Sequence, residues 1–143
     1  MTPFVVDASV AVKWYVPEIQ ASEALRLLQD ARNGDAELHA PDALYLEAAS
    51  VFWKKYRRHE LQRSEARDAL ASIVSSGIAM HGTEALLPSA FTIAMDAGTS
   101  IYDSLYLALA AALDCLFVTA DRKLLVRVSG TNWSALVRWV GEV

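Results

Sequence analysis

The chain opens MTPFVVDASVAVKW (residues 1–14), and its reading turns on one residue. The apolar run Phe4-Val5-Val6 stops at Asp7, and a second apolar run begins after Ser9. A short β-branched run bounded in this way predicts a strand, and the residues from Ser9 predict a brief helical segment. Asp7 then has two readings. In one, Asp7 or Ser9 caps the helix that follows the strand. In the other, the end of the strand is a working site. The choice depends on whether other acids in the chain are placed the same way.

Outward from that seam, short apolar runs alternate with helical stretches. The first helical segment, Val10 to Tyr15, halts at Pro17. Ala21, Ala24, Leu25, Leu28 and Ala31 recur at spacings of three and four, and Gly34 suits the end of that helix. Glu37–Ala40 is a candidate strand, with Pro41 at the start of a long helix reaching about Tyr56. Ser64 to Ser75 reads as a helix capped by Ser64 and stopped by Gly77. Ile78–His81 is a third candidate strand, Leu87–Ala97 a helix ended by Gly98, and Ser100 opens a helix through Leu113. Leu116–Val118 is a strand, Asp121–Val128 a short helix, and residues 129–132 a turn. Trp133–Val140 reads as a final strand. Strands separated by helices predict a small parallel α/β sheet with right-handed crossovers. There is no linker, repeat or second composition regime, so residues 1–143 read as a single domain.

More than half of the 143 residues are hydrophobic (54%), with 6 Gly and 4 Pro, which excludes disorder and low complexity. The longest apolar region, Leu105 to Val118, is broken by Asp114 and too short to span a bilayer. No basic segment precedes the first apolar run, so no targeting signal is read and a cytoplasmic location is expected. Cys115 is the only cysteine and sits among apolar residues, as an inert core thiol would. His39, His59 and His81 show neither helix-face nor zinc-finger spacing, which argues against zinc. The net charge of −4 does not advertise nucleic-acid binding, but it hides how charge is distributed.

Asp7 is matched by Asp121, which follows the strand Leu116–Val118 in the same way. Open α/β sheets gather their sites outside the carboxyl ends of strands, so two strand ends deliver two carboxylates to one edge. Glu47 is flanked by apolar residues and has no basic residue three or four positions away, unlike an acid on a solvated helix face. Asp103 lies in the first turn of its helix, where the dipole favours a negative charge and is expected to lower its pKa. Singly, three of the four have a capping explanation: Asp7 for the first helix, Ser100 and Asp103 as a capping box, and Asp121 for the helix from Arg122. Together, four carboxylates from four elements of one small sheet read as a binding cluster.

Four close carboxylates raise one another's pKa values unless a cation neutralises them. Oxygen donors with no paired His or Cys point to magnesium or manganese. Such ions polarise phosphoryl oxygens and activate water, so phosphodiester hydrolysis is the natural reaction. The densest basic run, Lys54-Lys55-Tyr56-Arg57-Arg58-His59, lies on and past the helix carrying Glu47. At about 100° per residue, Lys54 and Arg58 fall within roughly 20° of Glu47's direction, as cations following a nucleic-acid backbone would. The bland reading is a solvated helix end favoured by the dipole. Phe52, Trp53 and Tyr56 suit base stacking or, more simply, packing.

At these residues the sequence resembles the PIN-domain family, in particular the VapC-type toxin ribonucleases of toxin–antitoxin systems. Val5-Val6-Asp7-Ala8-Ser9 resembles the opening strand and first acid. Glu47 with Val51-Phe52-Trp53-Lys54-Lys55 resembles the second motif, Tyr102-Asp103-Ser104-Leu105-Tyr106 the third, and Val118-Thr119-Ala120-Asp121-Arg122 the fourth. The resemblance implies a three-layer α/β sandwich with a mainly parallel sheet of four to five strands. It implies an endoribonuclease whose Mg2+ or Mn2+ is held by Asp7, Glu47, Asp103 and Asp121, with Ser9 and Thr119 as polar supports. It also implies an RNA substrate, a homodimer, and a VapB-like antitoxin whose tail crosses the active-site groove. The early helices, with Trp14 and Tyr15, would supply much of that interface. Residues 133–140 do not align with the family's last strand.

Two other classes compete. A haloacid-dehalogenase-like phosphatase wants an acid two residues after its nucleophilic Asp, where this chain has Ser9; a receiver domain wants adjacent acids near its start, which are absent. A catalytically silent binding module keeps the fold without needing the acids, and all four are present.

Overall fold

A computed structural model describes residues 1–16 and 21–143 of the chain. The elements run β1 (Thr2–Val6), α1 (Ala8–Ala11), α2 (Ala21–Arg32), β2 (Ala36–Pro41), α3 (Ala43–Arg57), α4 (Arg63–Val74), β3 (Ala79–His81), α5 (Thr83–Ala97), α6 (Ile101–Leu113), β4 (Leu116–Thr119), α7 (Arg122–Val128) and β5 (Val137–Trp139). A 3-10 turn at Val12–Trp14 extends α1, and two more flank β5. The halt expected at Pro17 lies outside the described residues.

The five strands form one sheet in the order β3-β2-β1-β4-β5, with every pairing parallel. Consecutive residues Val5 and Val6, and Phe117 and Val118, are all fully buried. Neighbouring residues point to opposite faces, so both faces of the central strands are covered. That makes the three-layer arrangement the resemblance implies. The chain steps from β1 outward through β2 to β3, then returns to the other side of β1 for β4 and β5. The reversal lies between β1 and β4, which is where α/β sheets open a crevice at their carboxyl edge.

Several element boundaries differ from the sequence reading. Pro41 ends β2 instead of opening the next helix, and α3 begins at Ala43. The strand tolerates it because the bond to β3 comes from the next residue: the Asp42 amide donates to the His81 carbonyl at 2.8 Å. Helix α4 is capped by Gln62 and Glu65, not by Ser64, in a reciprocal capping box. Helix α5 starts at Thr83, four residues before Leu87, and runs through Pro88. Trp14 is buried, and its indole N–H donates to the Ala24 carbonyl at 2.8 Å. It belongs to the core and cannot serve the interface expected of it; Tyr15, half-buried, packs edge-on against it. Cys115 is buried, as expected, and burial pushes its thiol pKa up. Residues 133–140 hold a strand of only three residues, Val137–Trp139.

Candidate active site

The register of β1 on β4 builds the centre of the site. Val5 pairs with Phe117 and Val6 with Val118, so Asp7 emerges beside Thr119. The Thr119 hydroxyl donates to Asp7 Oδ2 at 2.6 Å, while the Ser9 hydroxyl and the Val10 amide donate to Oδ1. Ser9 Oγ in turn accepts the Ala120 amide at 2.9 Å, and Thr119 Oγ1 accepts the Asp121 amide at 3.1 Å. Two strand ends are thus stitched together around one carboxylate. Asp7 caps α1 and, at the same time, lies at the carboxyl edge between β1 and β4. Asp121 is likewise the cap of α7, its Oδ1 accepting the amides of Lys123 and Leu124 at 3.0 and 3.4 Å.

Glu47 and Asp103 come from α3 and α6. The Tyr106 hydroxyl donates to Glu47 Oε1 at 2.9 Å, and Arg127 Nη1 meets Asp103 Oδ2 at 2.9 Å. The Asp103 amide donates to Ser100 Oγ, the cap the sequence predicts there. Among the described residues, no three acids, histidines or cysteines stand close enough to hold one ion as their side chains lie. The four acids nevertheless share one electrostatic neighbourhood. Burial pushes the Asp7 carboxyl up to about 6 against the pull of its three donors, and Asp103 adds to the rise. Burial pushes Glu47 up to about 7; the Tyr106 bond opposes this, and the charges of Asp7 and Asp103 reinforce it. Asp103 is also raised by burial, with Arg127 opposing and Asp121 reinforcing. This overturns the expectation that the helix dipole would lower it: lost hydration outweighs the partial charge of a helix end.

Buried carboxylates held near neutral pH are short of positive charge. The donors present are all oxygens, and Asp7 and Glu47 keep unused lone pairs beyond their protein hydrogen bonds. This donor set fits a hard divalent cation and offers no soft or imidazole ligand.

Sequence reasoning missed Tyr106 and Arg127. A tyrosine inside the apolar run of α6 is a usable signal, because a buried phenol needs a partner. Burial, and the charge of Glu47 beside it, raise the Tyr106 pKa, so it stays a donor. Nothing in the sequence links Arg127 to Asp103. Lys54 and Arg58 are both exposed, but α3 ends at Arg57, so Arg58 is its C-cap and no longer follows the helical spacing from Glu47. The sheet also pairs two histidines whose spacing promised nothing. His39 Nδ1 lies 2.9 Å from His81 Nε2, and Glu37 holds the other nitrogen of His39.

The PIN domain family model matches residues 4–130. Ribonuclease VapC3 of Pyrobaculum aerophilum is 34% identical over 122 residues, covering 84% of this chain and 90% of that protein. Ribonuclease VapC9 of Mycobacterium tuberculosis is 31% identical over 120 residues, covering 84% and 87%. Among solved structures, PAE2754 from Pyrobaculum aerophilum superposes with a TM-score of 0.72 at 20% identity, over 99% of this chain and 85% of that one. VapBC2 from Rickettsia felis, bound to a promoter DNA fragment, superposes with a TM-score of 0.62 at 14% identity, over 96% and 98%. These two share the fold. With Asp7 and the β4 edge inside the matched span, the chain belongs to the PIN domain family and is a relative of its VapC ribonucleases.

Proposed function

We propose that this chain is a divalent-metal-dependent endoribonuclease that hydrolyses RNA phosphodiester bonds and acts as the toxin of a toxin–antitoxin pair. The observation that carries the reading is a buried acid, Asp7, at the β1–β4 reversal, electrostatically coupled to Glu47 and Asp103 on separate helices. A fold could cap α1 far more cheaply with a serine. Mg2+ or Mn2+ would be held by Asp7, Glu47, Asp103 and Asp121, and supplies Lewis-acid polarisation of the phosphoryl group and an activated water. Ser9 and Thr119 hold the two oxygens of Asp7 in place. Tyr106 orients Glu47, and Arg127 balances the charge of Asp103. Lys54, exposed on α3, would meet the RNA backbone, with Arg58 just past the helix end as a second cation.

The relatives named ribonuclease VapC support the reaction, and the Rickettsia felis VapBC2 structure supports an antitoxin partner. A homodimer acting in the cytoplasm completes the reading; no described helix is long and apolar enough to cross a membrane. The rival, a silent binding module, has no use for four acids at one edge.

The test is cleavage of a mixed RNA pool by antitoxin-free protein with Mg2+, Mn2+ or EDTA, beside Asp103→Asn. Cutting that needs metal and disappears in the variant is expected. Cutting that persists in EDTA, or survives Asp103→Asn undiminished, would falsify the assignment of the acids.

A further inference from the structure

The chain's charge is strongly polarised along its length. Residues 54–67 hold six of the thirteen Lys and Arg (Lys54, Lys55, Arg57, Arg58, Arg63, Arg67) but only two of the seventeen acids, Glu60 and Glu65. This segment is therefore +4 in a chain whose total is −4, which leaves the remainder at −8. Glu65 turns back to accept the Gln62 amide at 2.8 Å, and Glu60 lies 3.9 Å from Lys55.

Two aromatic rings stand inside this basic surface. Trp53 is 54% and Tyr56 37% exposed, whereas Phe52 beside them is buried. Each exposed ring carries a guanidinium: Arg57 at 4.9 Å from the Trp53 centroid and Arg63 at 5.7 Å from that of Tyr56. Between α3 and α4 lies a groove of about 240 Å³, lined by Phe52, Trp53, Tyr56, Arg63, Arg67 and Leu70. Flat rings flanked by cations, spaced along a groove, form the combination that binds single strands: phosphates meet the cations and bases stack on the rings. An apolar protein helix would use the groove's floor but leave its charged rim unmatched. At about 100° per residue, Lys54 returns to within roughly 20° of Glu47's direction about 10 Å further along α3, whereas Phe52, Trp53 and Tyr56 lie more than 100° round the helix, on the face turned to α4.

We propose that the basic, aromatic surface of the second half of α3 and the first turns of α4 is a single-stranded RNA-binding surface on the side of α3 turned away from Glu47, with Trp53 and Tyr56 stacking on the bases. The proposal rests on the ribonuclease reading in taking RNA as the substrate.

Fluorescence anisotropy of a labelled mixed-sequence 20-nucleotide RNA, in EDTA so that binding is read without cleavage, tests it. Trp53→Ala is expected to weaken binding about tenfold, and Trp53→Phe to keep most of it. The double variant Arg57→Gln, Arg63→Gln is expected to weaken binding and flatten the log K against log salt slope by about 1.4. Arg32→Gln, an exposed cation on α2, is the control for overall charge and is expected to bind as the parent does. Circular dichroism melts confirm that each variant is folded. Parent-like binding by both Trp53→Ala and the double variant overturns the proposal, as does failure of the parent itself to bind. Variants that keep RNA but lose a co-expressed antitoxin also overturn it, and assign the surface to protein instead. RNA binding that depends on Trp53 in a chain that cuts nothing would uphold the surface and sink only the ribonuclease reading.

Discussion

Asp7 has three hydrogen-bond donors and almost no water around it, being 6% exposed. The balance of those two facts sets its chemistry. Donors favour the anion and burial disfavours it, and burial prevails, since the pKa rises to about 6 from 3.8. A carboxyl whose pKa is higher folded than unfolded stabilises the fold at low pH. That stability is complete below about 4 and is lost as pH climbs through 6; for Asp7 it amounts to about 3 kcal/mol at most. Glu47, at about 7, carries the same trend to neutrality. In EDTA, thermal melts are therefore expected to show a lower Tm at pH 8 than at pH 5. Adding Mn2+ should raise Tm at pH 8 and do little at pH 5, where protons occupy the same oxygens. A Tm independent of pH in EDTA would show that these carboxyls ionise without penalty. Thr119→Val removes the donor on Asp7 Oδ2, so Asp7 should hold its proton more tightly. Metal affinity is expected to fall about 10–100-fold, the usual range for losing a group that orients a ligand, with calorimetric titration as the check.

At the scale of elements, the helix ends show which local signals are strong. Gly98 ends α5 in the left-handed conformation at φ 72°, and a Cβ there would meet nothing within 4 Å. Gly98→Ala therefore isolates the backbone cost, expected at about 1 kcal/mol in chemical denaturation with the slope unchanged. Helix α6 does more than bury an apolar run. It sets Asp103 in its first turn and, one turn on, Tyr106, whose ring stacks on Phe117 of β4 at 5.4 Å and whose hydroxyl reaches Glu47 on α3. Tyr106→Phe keeps the stack and loses the bond. It should cost about 1 kcal/mol of stability, and the acidic limb of the pH–rate profile should move upward, because the bond holds Glu47's pKa down.

Over the whole molecule, the sheet is closed on one side by a strand of three residues. Val137 and Trp139 are buried in β5, and the Arg122 guanidinium covers the Trp139 ring at 4.0 Å. This strand shields the edge of β4, the strand that ends in Thr119. Val137→Asp would bury an unpaired charge beside it, at a cost of about 3 kcal/mol or more. Loss of metal binding together with cooperative unfolding is the expected result; a soluble, metal-binding Val137→Asp protein would show that β5 is dispensable to the site.

The parallel α/β class, all five strands (the last within a longer expected span), the caps at Ser100, Asp7 and Asp121, and the four candidate acids were legible in residue order alone. Each rests on contacts within a few residues: an apolar run, an acid after it, a capping hydroxyl, a glycine stop. Pro41 and Ser64 misled because local preference was overridden, in one case by a ladder bond supplied by Asp42 and in the other by a stronger cap at Gln62 and Glu65. Trp14 misled because exposure is not written in a residue's neighbours along the chain. Everything that crosses the sheet waited for the tertiary structure. The Thr119 bond to Asp7 spans 112 positions, the Tyr106 bond to Glu47 spans 59, and the pairing of His39 with His81 spans 42. Periodicity can place such side chains on a face, but only strand order and register decide which faces meet, and only burial decides that the dipole at Asp103 loses to desolvation.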